Sequence, residues 1–196
     1  MKDIGQKPCL FCEWSVDLQA AQDKLKKKAE VITVDDMAHL FPAAKKPWKS
    51  QFLMANEHFF AVLCIEPKVE GHTLIISRKH FPSMADPALK QESNEFKLAF
   101  LDIMAIVANK LTIVTEDTEN PKVYFMSMCE HWTPKELDIA KSEFHTEQLH
   151  FHLLPRHKMS RAPYPHFHPE SVFIRCDKKV NPEELEETRK KILLPL

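Results

Sequence analysis

The chain has 196 residues with 27 basic and 28 acidic side chains, enough length for one sizeable core and too balanced a charge for general attraction to nucleic acid or anionic membrane. Only two glycines occur, Gly5 and Gly71, which excludes glycine-rich phosphate loops, so any bound phosphate needs a local site of another kind. The first residues lack the apolar centre of a signal peptide, and the most apolar run, Ala99 to Ala108, is short and carries Asp102; a soluble cytoplasmic protein with no membrane span is expected.

The chain opens on Cys9-Leu10-Phe11-Cys12. Five cysteines, two of them in this one CxxC, fit a reducing compartment, and the pair reads either as half a tetrahedral metal site or as an inert or redox pair. From Val16 to Glu30, Leu18, Ala21 and Leu25 repeat at helical spacing, and the lysines at 24 and 26 to 28 suit a solvated helix end. The stretch from Val31 to Ser50, broken by Pro42 and Pro47, reads as a surface excursion. Phe52 to Ala55 and Phe59 to Ile65 are β-prone runs joined by a turn at Asn56-Glu57-His58. After a loop from Glu66 to Gly71, the run His72 to Ser77 predicts a buried strand, with His72 at its loop edge and His80 just beyond. By position alone, a histidine at either place is more often a surface residue than a catalytic one.

Asp86-Pro87 predicts an N-cap followed by a first-turn proline. From there Phe96, Phe100, Leu101, Met104, Val107 and Leu111 predict one long amphipathic helix lying across the sheet. Val123 to Met128 is a further strand, and Cys129 to Glu147 a long polar connection. The segment Gln148 to Arg156 then alternates polar with apolar residues. A strand there sends Gln148, His150 and His152 to one face and Leu149, Phe151 and Leu153 to the other, chemistry on one side and core on the other. The proline-broken run from Pro163 to Pro169 reads as a surface loop, Val172 to Ile174 as a short strand, and Asn181-Pro182 as the cap of a last helix bearing Leu185 and Ile192.

Three pieces, in order, resemble the histidine triad (HIT) superfamily of nucleotide hydrolases and transferases: CLFC at 9–12, EGHTLIISRKH at 70–80 and QLHFHLLPR at 148–156. The resemblance implies a single α+β domain over residues 1–196, with an insertion at 16–50 and a C-terminal extension at 157–196. Its fold would be an antiparallel sheet of about five strands, a long helix packed on it and a C-terminal helix, commonly in a homodimer. It also implies a nucleotide or dinucleoside polyphosphate-type substrate attacked at the α-phosphorus by the middle histidine of the triad, here His150. A covalent nucleotidyl-histidine follows, which water or another acceptor resolves, with no cofactor required for that chemistry. His152 and His72 would stabilise charge on the phosphate oxygens.

The departures from the family pattern are specific. The first triad position is Gln148, which hydrogen-bonds but does not titrate. Zinc-bearing relatives use a CxxC pair, the histidine after the second motif and the first triad histidine. Here these positions are Cys9, Cys12, His80 and Gln148, so the resemblance implies either a structural zinc with His145 substituting as fourth ligand or an incomplete site with free thiols. Two positions that contact nucleotide in relatives correspond to Cys64 and Cys129. The alternative implied by these departures is a catalytically weakened nucleotide-binding or interaction module that retains the fold.

Overall fold

The computed structural model describes residues 9–25, 32–33, 50–65, 67–115, 121–127, 148–156 and 181–193. The architecture is α+β, built on one antiparallel sheet. In chain order the elements are α1 (Leu10–Leu25), β1 (Ile32–Thr33), β2 (Phe52–Ala55), β3 (Phe59–Leu63), β4 (Thr73–Ser77), α2 (Pro87–Lys90), α3 (Asn94–Leu111), a 3-10 turn (Thr112–Val114), β5 (Val123–Ser127), β6 (His150–Pro155) and α4 (Pro182–Leu193). The strand order is β1-β2-β3-β4-β6-β5, the two-residue β1 adding an edge to the expected five. Among the described residues no helix is long and apolar enough to cross a membrane.

Local chemistry sets the turns. The Asn56 side-chain carbonyl accepts from the backbone N–H groups of His58 and Phe59, and the Asn56 N–H donates to the Phe59 carbonyl, closing the β2–β3 hairpin where the sequence places it. Gly71, at φ 77°, turns the chain into β4. A Cβ there would come within 2.7 Å of Val114 Cγ2, so the position needs glycine for both conformation and space. The single long helix expected after Asp86 is instead two. Asp86 caps the four-residue α2, and Ser93 starts α3 by accepting from the Phe96 N–H, because a well-placed serine hydroxyl competes for the backbone as an N-cap. Phe96, Ile103, Val107 and Leu111 form the buried stripe of α3, whereas Leu101, expected in the core, faces outward at 50% exposure.

Both sheet faces are covered. On one, α3 and α4 enclose a core running from Leu53, Phe59 and Ile75 to Phe151, Leu185 and Ile192. A β-bulge between Phe52 and Met54 lets β2 supply two consecutive side chains, Leu53 and Met54, to this face. The other face carries Phe52, Phe60, Val62 and Ile76 under Phe11, Leu18 and Ala21 of α1. The histidine-bearing face, opposite the core under α3 and α4, is thus covered by a helix of its own. The helix begins at Leu10, within the CxxC, and its apolar side brings α1 over the histidine-bearing face. Part of the stretch 16–50 therefore belongs to α1, and Ile32 and Thr33 pair with Ala55 and Met54.

Candidate active site

The site is built on two neighbouring strands. Antiparallel register sets Leu74 opposite His152 and Ile76 opposite His150, so His72, one same-face position before Leu74, is the diagonal neighbour of His152. Three of the expected residues, His72, His150 and His152, are brought together: the His150 and His152 rings lie 5.0 Å apart and the His72 and His152 rings 5.1 Å apart. The Phe11 ring of α1 stands 5.8 Å from that of His150, a neighbour that periodicity around the histidines gives no means to find.

His150 Nδ1 lies 2.7 Å from the backbone carbonyl of Gln148. A carbonyl oxygen only accepts, so Nδ1 carries the proton and Nε2 of the neutral ring holds the lone pair. Burial pushes the His150 pKa below its ordinary value, and the bond to Gln148 offsets part of that shift. His72 Nε2 is 2.8 Å from His152 Nδ1, and His72 Nδ1 accepts from the Lys68 backbone N–H at 3.2 Å. Burial, with Lys68 and His150 nearby, lowers His72 to about 3. Burial, with His72, His150 and Lys68 nearby, lowers His152 to about 2. All three imidazoles are neutral at neutral pH. Cys64 is half-buried at the end of β3, its N–H donating to the His72 carbonyl at 2.8 Å.

Gln148 does not join the histidine cluster through its side chain. Its Oε1 receives Cys9 Sγ at 3.0 Å and Cys12 Sγ at 3.2 Å and lies 3.3 Å from His80 Nδ1, while its Nε2 donates to the Ser77 carbonyl. Cys12 Sγ is in turn 3.4 Å from His80 Nδ1, and the ligand atoms of Cys9, Cys12 and His80 all lie within 4.8 Å of one another. Burial, and then the adjacent Cys9, push the Cys12 thiol up to about 12. Two thiols and an imidazole at these distances match three of the four donors of a tetrahedral zinc, with the Gln148 amide oxygen beside them. His145 and Cys129 lie outside the described residues.

An antiparallel sheet carrying paired histidines beside a CxxC cluster defines an α+β protein with a histidine-bearing strand. The sequence model of the HIT domain matches residues 44–159, and the chain belongs to that family. The matched range leaves out the two cysteines of the CxxC, α1 and α4. No curated protein sequence matches significantly. Among solved structures the chain is similar to a Hit-like protein of Bartonella henselae involved in cell-cycle regulation (21% identity, 70% of this chain and 80% of that one, TM-score 0.43). It is also similar to a hypothetical histidine triad nucleotide-binding protein of Sulfolobus tokodaii (18%, 72% and 80%, 0.45) and to the diadenosine triphosphate hydrolase of Plasmodium falciparum (12%, 74% and 74%, 0.43).

Proposed function

We propose that the chain is a nucleotide hydrolase or nucleotidyl transferase acting on a nucleoside phosphate derivative through His150. The observation that carries this reading is the neutral histidine cluster, in which the Gln148 carbonyl holds the His150 Nδ1 proton and leaves Nε2 as a lone pair. Nε2 attacks the α-phosphorus, the P–N bond forms as the leaving group departs with its bonding pair, and water or another acceptor then displaces the nucleotide from the imidazole. The Gln148 replacement does not remove this activation. What Gln148 contributes to His150 is a backbone carbonyl, which any residue at that position supplies, while its side chain serves the thiol cluster. Membership of the HIT-domain family favours a nucleotide-related substrate.

The test is turnover on a panel of adenylated and guanylated dinucleoside polyphosphates and phosphoramidates, comparing the parent chain with His150→Ala. The expected loss is at least about 10³-fold in kcat, with a phosphorus–nitrogen adduct on His150 detected by mass spectrometry. Absence of turnover on every substrate, with nucleotide binding unchanged in the variant, would identify a binding module instead.

The same reading gives Cys9, Cys12 and His80 to a structural zinc, with the Gln148 amide oxygen as the fourth donor in place of His145. The ion's role there would be to tie the start of α1 to the strand that carries His150. Elemental analysis of protein purified without added metal is expected to find about one zinc per chain. A stoichiometry near zero would leave the cluster as hydrogen-bonded thiols. Homodimerisation through α3 and its neighbouring strands belongs to the same proposal and is read from the mass in solution.

A further inference from the structure

The turn before β4 carries no side chain with obvious chemistry, yet its backbone is tied to the histidine cluster. The His72 N–H donates to the Val69 carbonyl, the Thr73 hydroxyl donates to the Gly71 carbonyl, and Gly71 holds a positive φ against Val114. From this anchored turn the Lys68 N–H reaches His72 Nδ1.

Proton accounting then runs in one direction. A backbone N–H can only donate, so His72 Nδ1 can only accept, and the single proton of that ring is on Nε2. Nε2–H in turn can only donate, so His152 Nδ1 accepts across the 2.8 Å contact and the His152 proton is on its own Nε2. That nitrogen is buried and has no partner among the described residues, in a side chain only 8% exposed. A buried donor left unmet is rare in a folded protein and marks a place where an acceptor belongs.

We infer that the Pro67–His72 turn is a positioning device for the reaction proposed above. Through His72, the Lys68 backbone amide locks His152 in the Nε2–H tautomer, so that this nitrogen donates to an oxygen of the substrate phosphate. Two histidines on one strand face are thereby held in opposite tautomers. The Gln148 carbonyl leaves His150 with an unprotonated Nε2, and the Lys68 amide leaves His152 with a protonated one. His72 acts through His152: both its ring nitrogens are engaged inside the protein, so it is a positioning residue and not a phosphate contact as the family resemblance implies.

The inference rests on the nucleotidyl-transfer reading for its purpose but is tested apart from it. In ¹⁵N-histidine-labelled protein, long-range ¹H–¹⁵N spectra report which ring nitrogen bears the proton, with each residue assigned by its absence in the corresponding glutamine variant. The parent is expected to show His152 protonated at Nε2 and His150 at Nδ1. Lys68→Pro, which deletes the backbone donor together with the side chain, and His72→Phe, should each leave His152 a mixture of tautomers. Lys68→Ala, which keeps the amide, should retain the single form, and His72→Gln should restore it by donating from its side-chain amide. Where turnover is measurable, His72→Phe should lose about 10²-fold in kcat with little change in KM, and His72→Gln should recover part of that loss. His152 protonated at Nδ1 in the parent, or a single unchanged tautomer in His72→Phe, overturns the lock. The expected spectra in a parent without turnover uphold the lock and sink the transfer reading alone.

Discussion

The two faces of the sheet solve different problems with the same strands. The face under α3 and α4 is filled almost entirely by apolar side chains, with Phe59 against Phe96 and Phe100, and Phe100 and Phe125 against Phe151. Shape and volume hold that face together, and it tolerates no missing atoms. The face under α1 has a smaller apolar cluster and shares its cover with His72, His152, Gln148, Gln22 and Ser15, all buried. Each of these polar groups needs a partner, so order there depends on hydrogen-bond direction: thiols to the Gln148 oxygen, the Gln148 amide to Ser77, the Lys68 amide to His72 and His72 to His152. The first face supplies stability, and the second spends some of it to hold imidazoles and thiols in defined protonation states.

Four perturbations should separate the two, and the three substitutions among them run from the most costly to the least. Phe59→Ala opens a cavity in the fully buried aromatic layer and is expected to destabilise by about 3–5 kcal/mol, read from denaturant unfolding. If the faces are independent, the tautomers of His150 and His152 in the folded fraction stay as in the parent.

Acid should act on the other face. His72 and His152 titrate at about 3 and about 2 in the folded chain, below the ordinary value of 6.5, so the unfolded chain binds protons that the folded chain refuses. Stability is therefore expected to be flat above about pH 7 and to fall as pH drops from about 6.5 towards 3, by up to about 1.4 kcal/mol per pH unit for each histidine. A parallel urea series with His72→Gln should show a shallower fall, and an identical slope in the two proteins would refute this account.

Gly71→Ala strains a left-handed turn and presses a methyl group onto Val114, for an expected loss of about 2–3 kcal/mol. Because this turn belongs to both the core and the Lys68 relay, the variant should also disturb the His152 tautomer, which Phe59→Ala should not. The smallest effect is that of Ser93→Ala. It removes the cap of α3 on the far face and is expected to cost about 1 kcal/mol by thermal unfolding while leaving the His152 tautomer unchanged.

Much of this arrangement is legible in the residues themselves. Period-two alternation from Gln148 to Leu153 places the histidines on one face and Leu149, Phe151 and Leu153 in the core, and the structure keeps that partition. Asn56, Asp86 and Asn181 act as the turn and caps their side chains favour, since each bonds to backbone within three residues. Where local signals compete, the linear reading falters. Asp86 and Ser93 are both good caps, and only packing of the α3 stripe shows that the helix restarts at the second. Leu101 matches the helical spacing, yet its direction is wrong by enough to leave it in solvent while Ile103 is buried.

The identities of the reactive groups were already set by the order of amino acids: two imidazoles two residues apart on a strand, a third opening the neighbouring strand, and a pair of thiols three apart at a helix start. Those are properties of spacing, and backbone periodicity converts spacing into side-chain direction without help from distant residues. Their protonation states are not local properties. They depend on contacts between segments far apart in the chain, His72 with His152 and Gln148 with Cys9 and Cys12, and on burial within the fold. Only folding brings the Gln148 side chain to the thiols and leaves its carbonyl to His150. A proton's place on an imidazole is decided by the one partner that cannot give or cannot take it.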